Sequence, residues 1–253
     1  MQRLVIMGAG LVSVASFATA AAAADFPVQP YKAPPPIIAP FYNWAGIYVG
    51  VNGGVGLSRE CWTITSVNGA AVPPNSEGCH DASGGLAGGQ VGYRWQMGHL
   101  VFGVEAQGDW ADLKGTNTSL TAIIPYINRT RIDAIGLFTG QVGYAFENVL
   151  FYVKGGAAVT DNKYDSFFTA TNVVFNSTRE TRWDGSAGAG FEFGLGPHWS
   201  VALEYDHLFM GKHSVTFPAT TIAVTRTDTI KQDIDMGTVR VNYTFGGPIV
   251  ARY

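Results

Sequence analysis

Asp206 and His207 stand side by side, and an acid next to an imidazole invites reading as a proton-relay dyad. Successive residues on a strand point to opposite faces, however, so the two would not address one reacting group. The other histidines, His80, His99, His198 and His213, are scattered, with no H-E-x-x-H or C-x-x-C spacing to gather them around a metal. Gly84-Gly85 and Gly88-Gly89 lack the Lys-Ser or Lys-Thr that completes a phosphate loop. Neither G-x-S-x-G nor S-x-x-K occurs, so serine hydrolase chemistry has no local frame. The chain reads as a non-enzyme with no cofactor.

The constellation with physical content is ionic. Arg94, Glu105, Asp109, Asp133, Lys154, Arg182, Asp184, Glu192, Glu204, Asp206 and Arg240 occupy one face of alternating runs, accompanied by Asn52, Gln90, Gln107, Gln141 and Asn242 and by many small residues. Glu204 and Asp206 are expected beside Arg240, and Arg94 beside Glu105 or Asp109. The opposite face carries Ile47, Val49, Val51, Phe102, Val104, Trp110, Phe138, Val142, Phe191, Leu195, Leu203, Val239 and Val241. Near the turns it carries Trp95, Tyr144, Phe146, Phe193, Tyr243 and Phe245, the placement of an interfacial aromatic girdle.

Eight runs with this period-two pattern position those groups. They begin at Trp44, Gln90, Leu100, Ile132, Val149, Arg182, Ser200 and Ile234, and the last ends at Phe245. Short links at 96–99, 147–148 and 196–199 alternate with long ones at 58–83, 114–131, 161–181 and 211–233. In an up-and-down sheet such alternation gathers the tight turns at one end and the long loops at the other. The fold expected is all-β: an eight-stranded antiparallel up-and-down transmembrane barrel, with short periplasmic turns and four long external loops. A soluble barrel would turn the apolar face inward. The abundance of small residues between the charges decides for the opposite, because a narrow lumen needs them to house ionised side chains. Eight strands leave an interior that side chains can fill, so a polar plug is favoured over an ion pathway; in a pathway the excess of acids would favour cations.

Composition agrees. Charged residues make up 14% of 253, where a soluble domain has about 25%, and the 32 glycines exceed the roughly 18 of average usage. With 47% hydrophobic and 13% aromatic residues the chain is not a disordered one. A net charge of −3 without a dense Lys/Arg run argues against a nucleic-acid partner.

Residues 1–24 have the layout of a secretory signal peptide: Arg3, an apolar stretch from Leu4 to Phe17, and small residues up to a cleavage point between Ala24 and Asp25. Residues 25–43 carry six prolines and read as a periplasmic linker. The barrel is expected over 44–245 and a C-terminal extension over 246–253. Beyond residue 24 no apolar run is long enough for a spanning helix. In an exported protein Cys61 and Cys79, 18 positions apart in a loop, read as a disulfide worth about 3 kcal/mol by chain entropy.

The segment Tyr42-Asn43-Trp44-Ala45-Gly46-Ile47-Tyr48-Val49-Gly50, the run Gly143-Tyr144-Ala145-Phe146 leading to Leu150-Phe151-Tyr152-Val153 and Gly155-Gly156, and Trp199-Ser200-Val201-Ala202-Leu203-Glu204-Tyr205 resemble the small outer-membrane barrels of alphaproteobacteria, the RopB-type, porin-like surface antigens. The likeness runs from the signal peptide to Phe245. It implies a place in the cell outer membrane of a Gram-negative bacterium, with termini periplasmic and loops extracellular. The implied partners are outer-membrane lipid, lipopolysaccharide and the barrel assembly machinery; the oligomeric state stays open. Family chains commonly stop at the aromatic that ends the last strand, whereas here Gly246 to Tyr253 follow Phe245. The assembly signal implied is therefore Val239, Val241, Tyr243 and Phe245. A structural role in envelope integrity, a small cation-preferring pore, and loop-mediated binding of a haem-type ligand by Trp62, Tyr126, Phe167, Phe168 and Phe175 are the functions to be weighed.

Overall fold

A computed structural model describes residues 42–120, 125–218 and 224–246. The signal peptide with its Ala24/Asp25 cleavage point, the linker up to residue 41 and the extension beyond Gly246 lie outside the described residues. Nine strand segments follow one another: β1 Gly46–Val67, β2 Ala70–Met97, β3 Leu100–Thr118, β4 Tyr126–Phe146, β5 Val149–Phe168, β6 Val174–Gly194, β7 Trp199–Phe209, β8 Lys212–Phe217 and β9 Arg226–Phe245. Every pairing is antiparallel; β1 to β7 pair in sequence order, β7 and β8 each pair with β9, and β1 closes the ring on β9 from Ile47↔Phe245 to Val67↔Arg226. β7 and β8 lie on the same flank of β9 and form one strand path interrupted at Met210–Gly211. The ring therefore has eight strands. No helix among the described residues is long and apolar enough to cross a membrane.

The two faces divide the residues by chemistry. Ile47, Val51, Val55, Leu57, Trp95, Val104, Trp110, Phe138, Phe151, Trp183, Leu195, Phe209 and Phe245 are exposed on the outside. They form an apolar band between the tight turns and the level of Leu57, Trp110, Trp183 and Phe209. The band covers about ten residues of each strand, which is what a tilted strand needs to cross the hydrocarbon. Glycine on the inner face makes room for the groups opposite. A Cβ on Gly92 would lie 2.4 Å from the Tyr48 ring, and one on Gly188 2.2 Å from the Asp206 carboxylate.

Beyond the band the strands do not become loops. The expected connections 58–83, 114–131, 161–181 and 211–233 are largely extended ladder, and the β1–β2 hairpin turns only at Asn68-Gly69, both with positive φ (48° and 79°). Two consecutive positive-φ residues make the tight turn whose twist matches its flanking strands. The ring opens in this region. The β2–β3 ladder stops at Ser83↔Lys114, and the β6–β7 ladder stops at Gly185↔Phe209, with no ladder from β6 to β8. Two four-stranded leaflets result, β3-β4-β5-β6 and β8-β9-β1-β2, each continuous with the barrel below. Pro73 and Pro74 fall on the unladdered edge of β2, where a missing N–H costs no pairing.

Candidate functional site

The interior is filled in layers, beginning at the turn end. Trp44 and Tyr42 are buried there with ring centroids 4.3 Å apart, and the backbone N–H of Trp44 donates to Gln96 Oε1 (2.8 Å). Above them Arg94 pairs with Glu192 on β6 (2.7 Å), its guanidinium 4.3 Å from the centre of the Tyr48 ring. Glu192 also accepts from the Ser200 hydroxyl and from Asn242 (2.9 Å). The expectation that Arg94 meets Glu105 or Asp109 on β3 is thus corrected: its long side chain crosses the lumen, while Glu105 is engaged elsewhere.

Glu105 and Glu204 form the centre of the charge cluster. Arg240 donates to Glu105 (2.5 Å) and to Glu204. Lys154 lies 2.7 Å from Glu204, 3.3 Å from Glu105 and 3.4 Å from Asp206. Two tyrosines cap the carboxylates symmetrically, Tyr48 on Glu105 (2.5 Å) and Tyr152 on Glu204 (2.6 Å). Gln141 donates to the Tyr48 hydroxyl (3.0 Å). Buried charges persist only when paired and hydrogen-bonded, and here three bases face three glutamates. Asp109 and Asp206 are two further buried acids in the same layer; Gln107 donates to Asp109 (2.8 Å).

An apolar slab closes the lumen above this layer. Leu86, Leu113, Ile132, Ile135, Leu137, Ala158, Leu208, Met210, Ile234 and Met236 pack together from six strands and the β7–β8 break, all of them buried. A second polar layer follows, outside the band. Glu60 accepts from Ser58 (3.2 Å) and Gln232 (3.0 Å) and faces His80 at 3.6 Å; Arg182 donates to Gln232 (2.8 Å) and to the Ile230 carbonyl (2.9 Å). Burial pushes the Glu60 carboxyl up to about 7. Trp62, Tyr164, Val215, Phe217 and Ile230 make an aromatic core between the leaflets. At the far end Glu77 accepts from Tyr126, Asn128 (3.0 Å) and Arg226 (3.1 Å), and Arg226 pairs with Asp228 (2.7 Å).

Of the expected interior charges, Arg94, Glu105, Asp109, Lys154, Arg182, Glu192, Glu204, Asp206 and Arg240 are buried. Asp133 and Asp184 are not. A bulge between Ile132 and Ala134 turns Asp133 outward, where Arg179 meets it at 2.7 Å. Asp184 keeps the inward parity but stands where β6 loses its neighbour, and its carboxylate lies at the surface 3.9 Å from His213. The girdle residues Trp95, Tyr144, Phe146, Phe193 and Phe245 are exposed at the turn end, with Tyr243 half-buried against Trp199 and Phe245. Glu60, Glu77, His80, Arg226 and Asp228 were hidden from sequence reading because their segments carry loop-type residues. A continued count by twos from Ser58 and from Asp235 would have placed Glu60 inward and Asp233 outward.

Cys61 and Cys79 are bonded and are direct ladder partners across β1 and β2. They staple a hairpin and not a loose loop. Of the aromatics considered for ligand capture, Trp62 is wholly buried and Phe175 nearly so, packed against Tyr126 and Phe168. His207 Nδ1 donates to the Asp235 carboxylate (2.7 Å) on the outer face, away from the buried Asp206.

A family model described as the outer membrane protein beta-barrel domain matches residues 9–245. The 31 kDa outer-membrane immunogenic protein of Brucella melitensis is 27% identical over 212 residues, covering 81% of this chain and 88% of that one. The 25 kDa outer-membrane immunogenic protein of Brucella abortus is 27% identical over 245 residues, covering 97% and 99%. Among solved structures, the outer membrane protein OprG from Pseudomonas aeruginosa superposes with a TM-score of 0.54 at 13% identity, covering 80% of this chain and 97% of that one.

Proposed function

The chain belongs to the outer membrane protein beta-barrel domain family and resides in the outer membrane of a Gram-negative bacterium, and from that premise we propose that it is a structural, surface-exposed barrel supporting envelope integrity rather than a pore or an enzyme. The observation that carries this reading is the filled lumen. A salt-bridged network occupies the turn half, and a slab of ten apolar side chains lies across the ring above it. An ion would have to shed water to pass the slab. The tight turns and the ring ends at Gly46 and Phe245 face the periplasm and the two leaflets project outward, in keeping with the asymmetry of such barrels. The leaflets present the chain to the outside, consistent with the immunogenic naming of the Brucella relatives.

The small-pore reading has the two surplus acids, Asp109 and Asp206, in its favour, but the slab stands in its way. Haem-type capture loses Trp62 to the interior. Refolded protein that migrates differently boiled and unboiled is expected to give no single-channel openings in planar bilayers. A strain lacking the protein is expected to become more sensitive to detergents. Regular openings, or unchanged detergent resistance, would overturn the proposal.

A further inference from the structure

On the outer face of the β3–β6 leaflet, Arg131, Lys163 and Arg179 lie directly opposite one another across β4, β5 and β6. Lys114 on β3 extends the row opposite Arg131, and because like charges in cross-strand register repel, the row gains from an anion that meets it. The counter-charges present do not cancel the row. Arg179 is held by Asp133 (2.7 Å) and Asp161 (3.3 Å), and Arg129 takes Asp165 (2.7 Å). The ion pairs of Arg131 and Lys163, to Asp133 and Asp165, are both at 4.0 Å. With Lys114, which Asp112 holds at 2.6 Å, five bases thus face four acids, and the weakly paired Arg131 and Lys163 side chains remain about two-fifths exposed. On the opposite leaflet, by contrast, Arg59 sits between Asp81 and Asp233 in register, so the signs alternate.

The row borders an open depression of about 450 Å³ lined by Arg131, Asp133, Lys163, Ser177, Thr178 and Arg179. Directly below, towards the membrane, Trp183 is 58% exposed and stacks on Phe138 with centroids 5.9 Å apart. Arg179 precedes Trp183 by four residues, about 13 Å along the strand and about 10 Å in height for a tilted one. Around the aromatic pair the outward positions Gly136, Gly140, Gly155, Ala157 and Gly185 leave a shallow surface. Cations sit one headgroup's height above a smooth apolar wall.

We propose that this face binds an anionic glycolipid of the outer leaflet, its phosphate or sugar-carboxylate groups held by Arg131, Lys163 and Arg179 and its acyl chains laid along the Phe138–Trp183 wall. Asp133 and Asp161 engage Nη2 and Nε of Arg179 and fix its guanidinium in place. Guanidinium forks suit paired oxygens of phosphate and carboxylate alike. The inference rests on the outer-membrane orientation given above, and it names one lipid-facing patch as the contact.

The test uses the whole protein refolded in detergent, with purified lipopolysaccharide as the probe and heat-dependent gel migration as the check that the barrel is closed. The triple variant R131A/K163A/R179A is expected to bind lipopolysaccharide on the order of tenfold more weakly, which corresponds to loss of a few charge-assisted contacts. R59A/K231A on the other leaflet is expected to bind within about twofold of the parent chain. An R131K/R179K variant keeps charge without the forks and is expected to fall between. Undiminished binding by the triple variant would overturn the proposal. So would equally strong displacement by inorganic phosphate and by de-acylated glycolipid, which would reduce the patch to a free-anion site. A parent chain whose gel migration ignores heat would instead sink the barrel reading itself.

Discussion

Arg94 and Glu192 form a buried pair in which neither partner has a substitute. Arg94 crosses from β2 to β6, and Glu192 is otherwise held by the neutral groups of Ser200 and Asn242. Truncating the cation leaves a carboxylate in a water-poor lumen, a loss of about 3–5 kcal/mol by analogy with broken buried pairs. R94L should lower the urea midpoint of refolding accordingly, and R94L/E192Q should recover most of the loss because a neutral amide still serves Ser200 and Asn242. If the double variant is no better than the single, the ion pair is not what the arginine supplies. Glu60, outside the membrane band, carries a different signature. It is faced by His80, Ser58, Thr130, Gln232 and Arg182, and burial, the largest influence, raises it to about 7 from the ordinary 4.5. A folded value above the unfolded one means that proton binding favours the fold: the contribution is full below about pH 4.5 and is lost as pH rises through about 7. His80, lowered by burial, acts in the opposite sense, so the informative quantity is the difference between E60Q and the parent chain. E60Q should gain stability relative to the parent above pH 7 and gain none at pH 4.5, read from urea midpoints across that range.

The strands were legible where two solvents differ. Between the turns and the level of Leu57 and Trp183, lipid outside and ions inside impose opposite chemistry on alternate residues, and the period-two contrast between Val239/Val241 and Arg240/Asn242 follows from it. Above that level the outer face meets water, as at Arg59 or Lys163, while the inner face mixes Glu60 with Trp62. The contrast vanishes there although the ladder continues, and Pro73-Pro74 and Gly78 read as a loop in what is an unladdered strand edge. The same physics explains the two misplaced acids: a bulge shifts the parity of Asp133, and an open seam beside β8 frees Asp184. The hairpin stapled by Cys61 and Cys79 belongs to this less constrained region, since β2 from Ala70 to Ala82 is laddered to β1 alone. The disulfide should therefore stabilise locally, by about 3 kcal/mol of loop closure confined to the hairpin. C61S/C79S is expected to keep the heat-dependent gel shift of the closed ring and to become cleavable by protease around Asn68-Gly69. Loss of the gel shift would mean that the staple holds the whole barrel.

At the scale of the molecule, the order of layers along the axis matters more than any one of them. Charges alone would leave a hydrated path, because salt bridges in a lumen exchange partners with passing ions. An apolar layer alone would leave the inward Arg94, Lys154 and Arg240 without their acids. The stack places the paired charges in the turn half and the dry slab of Leu113, Leu137 and Met236 between them and the outer polar layer. Ion passage is then limited by dehydration at the slab, and the acids below it decide which ion would follow if the slab were wetted. Replacing all three by serine removes the apolar barrier and leaves each strand's ladder intact. L113S/L137S/M236S is expected to retain the heat-dependent gel shift, to be less stable than the parent by several kcal/mol from lost core volume, and to show openings in planar bilayers where the parent shows none. In a salt gradient its reversal potential should move to the cation side, because Asp109 and Asp206 exceed the bases available in the turn half. A silent but folded triple variant would shift the barrier from the slab to the ionic network beneath it, and R240A or K154A in the same background would then be the substitution that opens the ring.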